Sequence, residues 1–528
     1  MKNKLVSGSF WLSTANILCK ILGIVYLIPW LAMMGSFQDK QQAQALYSVA
    51  YLPYALFLTL GTSGFPTGLA KKIANNIKDN KEDENEYVFS SSLTILNTVG
   101  LISAILLFIL APALSRISPT ANQYAATIAI RSLCPSLLII PFLSALRGYF
   151  QGKSLIKEFG ISMVIEQVAR IIVILLGTYL LRIIFKQSVL SAVVISTFAS
   201  CIGGIFSIIY LIYKGLKEKL FKVKTLFSFS ISNLKEEKTM IKEVIHESLP
   251  FIYVGSLIPL SQLIDQVTIK YIFLRLTDLN LNQIENVYTL ASANPIKLTA
   301  VLLAITGSIT VTALPLIASS VGEKQISETI SKILTLSYNV IFPATIGMIL
   351  VSMPLNTMFF YYSLDGSYYL ILNTFSTFVV SVFSIVLLIV QALGYHKYAM
   401  KATTIMLVLK FILQFPAIYI FQGYGIVLAS IASYGIMAIL SLRFIFNKTK
   451  FRNAQELASS IFNSTEATLA MSIICTVMLI ISNVYTNVES KGQSFITICI
   501  VGITGIIFYA YFLSPKKFKE AVKKFIKK

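Results

Sequence analysis

The sequence predicts an all-α integral membrane fold of about fourteen transmembrane helices, arranged as two pseudo-symmetric six-helix lobes followed by two further helices. Three observations carry this: the apolar residues come in long blocks, the basic residues alternate strictly between loops, and the two halves share landmarks. Apolar residues make up 56% of the 528-residue chain and charged residues 13%, against roughly 45–50% and 25% in soluble domains. The blocks are about 20 residues long, the length a helix needs to cross a hydrocarbon core of about 30 Å. They fall near 7–34, 45–69, 89–114, 121–146, 158–184, 188–213, 247–272, 291–318, 333–354, 368–393, 399–421, 423–442, 465–485 and 494–514. The first block is too long for a signal-peptide core and no small-residue cleavage site follows it, so it reads as a retained span.

The loops then set the orientation, because cytoplasmic loops carry the excess of Lys and Arg. With the N-terminus inside, the cytoplasmic stretches hold 31 of the 44 basic residues, the external loops 6 and the spans 7. Both termini are therefore expected in the cytoplasm. The net charge of +21 is a topology determinant drawn to the anionic inner leaflet, and no nucleic-acid partner is expected. The segments Lys217–Lys224 and Lys516–Lys528 read as interfacial amphipathic helices; in the second, Phe518, Val522, Phe525 and Ile526 share a face among lysines. Residues 1–213 form the expected N-terminal lobe, 214–246 a basic cytoplasmic linker, 247–446 the C-terminal lobe, and 447–528 the last two helices and a basic tail.

Landmarks recur six spans apart and in parallel. "FPTGLAKKIANNIKDNKEDENEYVF" after the second span corresponds to "ALPLIASSVGEKQISETISKIL" after the eighth, each a proline near a helix end followed by a charged turn. "LRGYFQGKS" after the fourth corresponds to "ALGYHKYAM" after the tenth. Parallel repeats are a common plan for secondary transporters, with the substrate site between the halves. Enzyme chemistry finds no support. "RGYFQGKS" lacks the leading glycine of a phosphate-binding P-loop and follows a membrane helix rather than a strand. The five cysteines (Cys19, Cys134, Cys201, Cys475, Cys499) lie singly in apolar blocks, without disulfide or metal-ligand spacing. His246 and His396 sit at span ends and read as solvated. Neither metal nor cofactor is expected.

Ionisable groups within spans cost at least about 2.5–3.5 kcal/mol each on insertion scales and by default mark a polar interior. Here the deep cations are Lys20, Arg131, Arg170, Lys297 and Lys410, against two acids, Glu166 and Asp265. Lys270 and Lys332 lie near span ends and are expected to snorkel. Glu166 and Arg170, four apart, share a helix face; they serve either as a packing lock or as a functional pair. A cavity richer in cations than acids suits a phosphate or pyrophosphate, whereas an exporter of organic cations would need the reverse. Prolines in "LIPW" (Leu27–Trp30), "LGTSGFPTG" (Leu60–Gly68), "CP" (Cys134–Pro135) and "IIPF" (Ile139–Phe142) interrupt the helices.

With these residues in view the chain resembles the Gram-positive branch of the MurJ-like flippases, within the superfamily of multidrug, oligosaccharidyl-lipid and polysaccharide exporters, and so a MATE-like lobe arrangement is implied. The resemblance rests on "FWLSTANILCKILGIVYLIPW" (Phe10–Trp30), "RGYFQGKSLIKEFGISMVIEQVARIIVILL" (Arg147–Leu176), "LPFIYVGSLIPLSQLIDQVTI" (Leu249–Ile269), "TALPLIASS" (Thr312–Ser320) and "ALGYHKYAMKATTIMLVLKFILQFPAIYIF" (Ala392–Phe421). It implies translocation of an undecaprenyl-pyrophosphate-linked peptidoglycan precursor, lipid II, from inner to outer leaflet of the bacterial cytoplasmic membrane by alternating access. Lys20, Arg131, Arg170, Lys297 and Lys410 would contact the headgroup, and Glu166 and Asp265 would gate or couple. Lys20 keeps the charge of the family's first-helix arginine, while Tyr26 and Leu27 replace an Arg-Asp pair of the Gram-negative branch. Phe57 stands near a further basic position of that branch. The other cargoes open are teichoic-acid, capsular or spore-cortex precursors; a multidrug or cation antiporter is the third class. The resemblance also implies a monomer, contact with membrane lipids and the cell-wall synthesis machinery, and coupling to membrane potential or a monovalent cation.

Overall fold

In the computed structural model the chain is all helical over the described residues, which are 2–515 apart from 63, 80, 82, 224–225, 227–248 and 319. It divides into two compact units, Met1–Thr289 and Leu290–Lys528. The first unit contains α1 (Lys2–Val25), α2 (Leu27–Ala32), α3 (Phe37–Thr62), α4 (Phe65–Lys78), α5 (Glu84–Ile117) and α6 (Gln123–Arg131). It continues with α7 (Cys134–Gly152), α8 (Ile156–Thr178), α9 (Val189–Lys217), α10 (Leu257–Leu276) and α11 (Leu281–Tyr288). The second unit holds α12 (Asn294–Ala318), α13 (Glu323–Leu350), α14 (Ser352–Phe359), α15 (Leu364–Ala392), α16 (His396–Phe421), α17 (Gly423–Lys448), α18 (Ala454–Tyr485) and α19 (Lys491–Leu513). The seventh apolar segment thus packs with the first six; most of the linker 214–246 lies outside the described residues.

Among the described residues twelve helices are long and apolar enough to cross a membrane, and the pair Leu249–Gly255 and Leu257–Leu276, bent by 46°, makes a thirteenth. The remaining expected span, 45–69, is not among them: the structure breaks it at Gly64, between α3, a 26-residue helix, and α4. The chain is a multi-pass membrane protein. Its helix breaks fall where the prolines predict. α1 gives way to α2 at Tyr26, before Pro29; α6 ends at Arg131, before Cys134–Pro135; α3 ends before Gly64, whose φ of 76° hands the chain to α4 with Pro66 in its first turn. Pro141 is carried within α7 without a break.

Small residues set how closely the helices of the first unit approach, as packing in lipid requires. A Cβ on Gly203 of α9 would lie 2.6 Å from the Glu166 carbonyl oxygen and 3.2 Å from the Arg170 Cβ of α8. A Cβ on Gly160 of α8 would come into contact, at 3.5 Å, with the Ala15 Cβ and the Trp11 carbonyl oxygen of α1, and a Cβ on Gly23 of α1 would meet Gln167 Nε2 at 3.2 Å. A Cβ on Gly148 of α7 would lie 2.9 Å from the Pro66 carbonyl oxygen of α4. α8 is therefore clasped between α1 and α9 along its charged stretch. At the other end of α8 a π-helical turn, Tyr179–Ile184, presents Arg182, which donates to the Gln187 carbonyl (2.8 Å), to the Met34 carbonyl and to Asp39 Oδ2 (3.0 Å). This fork ties the α2–α3 turn to the end of α8.

Two expectations are corrected. Lys270 does not snorkel. It is 6% exposed and its Nζ donates to the Arg116 carbonyl at 2.6 Å, satisfying an orphan acceptor in the last turn of α5. The stretch after Lys217 is not an interfacial helix over its described part. It turns back at Lys219 (φ 54°), and Phe221 packs against Phe89 (5.4 Å) and Tyr149 (5.8 Å), while Tyr149 Oη donates to the Leu220 carbonyl at 2.7 Å. Gly215 leaves the space that ring occupies. The basic tail 516–528 lies outside the described residues.

In the second unit α15 is central, with α12, α13, α16 and α17 packed against it. Thr306 of α12 donates to Ser381 of α15 at 2.8 Å. α18 and α19 join through Tyr509, whose Oη donates to the Asn339 carbonyl of α13 at 2.6 Å.

Candidate functional site

The charged core of the first unit is built from α7 and α8. Glu166 accepts from Arg170 Nη2 through Oε1 at 2.6 Å and from Arg147 Nη2 through Oε2 at 2.9 Å. One carboxylate is therefore shared by two guanidiniums, leaving the cluster with one positive charge in excess. The three side chains are only 14–19% exposed. Arg147 is held further by Ser162 Oγ (2.9 Å) and Ser207 Oγ (3.2 Å), with Phe159 beneath its guanidinium at 5.7 Å. Arg170 is held less. Among the described residues its Nε is buried without a hydrogen-bond partner, although a guanidinium offers five donors in a fixed fork.

The pair Glu166–Arg170 was readable from its spacing; Arg147 was not. It falls within the "RGYFQG" that reads as a cytoplasmic turn, but α7 runs on to Gly152 and carries it inside the unit. Lys20 lies on the exposed side of α1; it is Cys19 beside it that lies within electrostatic reach of Glu166, Arg147 and Arg170. Arg131 goes elsewhere. At the end of α6 it stacks over Phe108 of α5 at 4.3 Å and donates from Nε to that residue's carbonyl at 3.4 Å. Asp265 is 6% exposed on α10, within electrostatic reach of Tyr288 of α11. Its neighbour Gln266 donates to Ser118 Oγ (2.7 Å) and the Val49 carbonyl (3.1 Å), fixing α10 against α3 and α5. In the second unit, Lys297 lies half-buried in the first turn of α12, and Lys410 is 1% exposed on the α16 face that also carries Met406 and Gln414.

A second feature adjoins Arg170 and was not singled out in the sequence. Tyr26, between α1 and α2, and Tyr47, Tyr51 and Tyr54 of α3 all lie within its electrostatic reach. Trp30, Tyr47, Tyr51 and Tyr54 form a continuous row of rings. Their spacing of four and three residues on α3 was the available signal, but tyrosines in a membrane helix also read as ordinary packing.

Taken together, the clasped helices, broken spans and enclosed arginine cluster define a polytopic helical transporter fold. The chain belongs to the polysaccharide biosynthesis protein family, which matches residues 5–320. It is similar to lipid II flippase MurJ of Bacillus subtilis (strain 168), 28% identical over 468 residues that cover 85% of this chain and 83% of that protein. It is also similar to stage V sporulation protein B of the same organism, 27% identical over 249 residues, 47% of this chain and 46% of that one. Among solved structures, lipid II flippase MurJ in an inward closed conformation superposes with a TM-score of 0.68 at 15% identity, over 97% of this chain and 99% of that one. An inward-facing multidrug resistance MATE family transporter superposes with a TM-score of 0.60 at 14% identity, over 84% and 96%. These findings bear out the MurJ-like resemblance and the MATE-like fold, and place the chain among transporters rather than enzymes.

Proposed function

We propose that the chain is a flippase for a pyrophosphate-linked lipid saccharide of the bacterial cytoplasmic membrane, carrying it from the inner to the outer leaflet by alternating access. The observation that carries this is the charge surplus at Glu166: two arginines on one carboxylate inside a membrane fold, the Nε of Arg170 having no hydrogen-bond partner among the described residues. A phosphate oxygen pair matches a guanidinium fork in geometry and charge. Glu166 then acts as a gate, occupying Arg170 until the headgroup displaces it. Lys20 extends the cationic surface; Arg131, Lys297 and Lys410 are proposed as further contacts along the route, and Asp265 as a coupling acid. Lipid II is the first candidate cargo, because the relative matched over most of the chain is named for it. The spore-protein relative keeps other lipid-linked wall polymers open, which share the same pyrophosphate. Both termini in the cytoplasm follow from the basic loops. Moving a negative headgroup outward is downhill in an inside-negative membrane by about 2.3 kcal/mol per charge per 100 mV, so the membrane potential can drive the cycle, a monovalent cation assisting. The protein is taken to act as a monomer beside the cell-wall synthesis machinery.

The test is reconstitution in liposomes carrying undecaprenyl-pyrophosphate-linked disaccharide, with its outer-leaflet exposure followed by a membrane-impermeant reagent. Arg170→Gln removes a charge-assisted contact of about 1.5–3 kcal/mol, so translocation is expected to fall roughly ten- to a hundredfold. A variant as fast as the wild type would overturn the role of the arginine cluster.

A further inference from the structure

The row of rings beside Arg170 is more ordered than packing requires. Tyr47, Tyr51 and Tyr54 lie four and three residues apart, on one face of α3. Trp30 meets Tyr47 edge-on at 5.9 Å, Tyr47 and Tyr51 stack 6.0 Å apart within 11° of parallel, and Tyr51 meets Tyr54 at 5.6 Å. The ends of the row are closed. Trp30 and Tyr54 are each 1% exposed, and Trp30 Nε1 donates to Ser196 Oγ at 2.8 Å. The middle is not: Tyr47 and Tyr51 are half-buried. The parallel pair is thus backed by fixed aromatic neighbours and left partly accessible within electrostatic reach of Arg170, whose Nε has no hydrogen-bond partner among the described residues.

An aromatic face carries negative charge density, and what stacks on it must carry positive character. Organic cations do so, but Arg170 lies within electrostatic reach of all three tyrosines and would repel them. A neutral pyranose does so through the weakly positive C–H bonds of its ring face, and its hydroxyls can bond the phenols. In a pyrophosphate-linked saccharide that ring is joined directly to the group an arginine holds. We infer that Tyr47 and Tyr51 form a stacking platform for the sugar next to the pyrophosphate, so that this site reads the glycan as well as the phosphate. The inference rests on the flippase reading and assigns the part of the headgroup that reading leaves unassigned.

The experiment is a binding titration of the purified full chain with two lipids, undecaprenyl-pyrophosphate-linked disaccharide and sugar-free undecaprenyl pyrophosphate. Trp30, edge-on to Tyr47, serves as the fluorescence reporter in a Trp11→Phe background. Wild-type protein is expected to prefer the sugar-bearing lipid by roughly tenfold. The pair Tyr47→Leu and Tyr51→Leu abolishes that preference while leaving affinity for the sugar-free lipid unchanged, which also shows that the variant is folded. The pair Tyr47→Phe and Tyr51→Phe retains most of the preference, because the ring faces remain. A leucine pair that keeps the preference, or that loses both affinities together, would overturn the platform. Wild-type protein that binds both lipids equally refutes the platform alone, whereas binding neither refutes the flippase reading beneath it.

Discussion

Glutamine at position 166 is expected to cost the protein most of its folded yield, because it removes the carboxylate that two guanidiniums share. Arg147 and Arg170 reach Glu166 at 2.9 and 2.6 Å and are enclosed with it. An amide keeps the shape and one acceptor but none of the charge, so two cations face each other in a low-dielectric interior. Breaking a buried ion pair by removing one partner costs about 3–5 kcal/mol, since the remaining charge stays buried without compensation. Here two charges remain. Thermal unfolding in detergent, followed by a reporter of tertiary structure, measures the loss. The cause is separable from shape: Arg147→Gln added to Glu166→Gln removes the second cation and is expected to restore much of the stability. Residues within one such network couple by about 0.5–3 kcal/mol, so simple additivity of the two losses would contradict the shared-carboxylate account. The double variant would also keep Arg170 without its gate, and is expected to hold an anionic lipid while turning over slowly.

Valine at Gly203 is the second. The glycine lies on α9 where that helix crosses the charged stretch of α8, and its missing side chain is the reason they can touch. A Cβ there would sit 2.6 Å from the Glu166 carbonyl oxygen, backbone that cannot swing aside, and 3.2 Å from the Arg170 Cβ. The helices must separate, and with them the frame that holds the arginine cluster. Overpacking of this kind costs typically about 1–3 kcal/mol and more where backbone must move. Gly203→Val is therefore expected to reduce thermal stability sharply, with Gly203→Ala intermediate. Gly502 on α19 supplies the control, since a Cβ there meets nothing within 4 Å; Gly502→Ala should leave stability unchanged. Equal tolerance at both positions would show that the α8–α9 contact does not hold the site.

What could be read from the sequence follows from how far apart the determinants lie. Spans are set by local hydropathy against a fixed bilayer thickness, so the rough limits of thirteen of the fourteen were legible, as were the breaks at Tyr26, Gly64 and Cys134–Pro135. Glu166 and Arg170 were legible as a pair because four residues is one helical turn. Arg147 is nineteen residues from Glu166 and joins it only because α7 extends past the expected span end, a boundary hydropathy places poorly. Lys270 misled for a different reason: its partner is a backbone carbonyl on α5, 154 residues away, and no side-chain pattern marks a carbonyl. The segment Lys217–Lys224 read as a surface helix because the space that takes in Phe221 is made by Gly215, a residue that announces nothing by itself. Depth in the membrane is written in the chain; which deep charges meet is decided by packing. That is why the cation surplus was visible as a total while the cluster at Glu166 was not, and why Arg131, counted alike, lies instead against Phe108.

The most direct measurement is the leaflet distribution of lipid II in cells depleted of this protein and of any other lipid II flippase. Externally accessible lipid II should fall as the protein disappears while the inner-leaflet pool rises, and re-expression of the wild type, but not of Arg170→Gln, should restore it. External lipid II that stays constant through depletion would contradict the account.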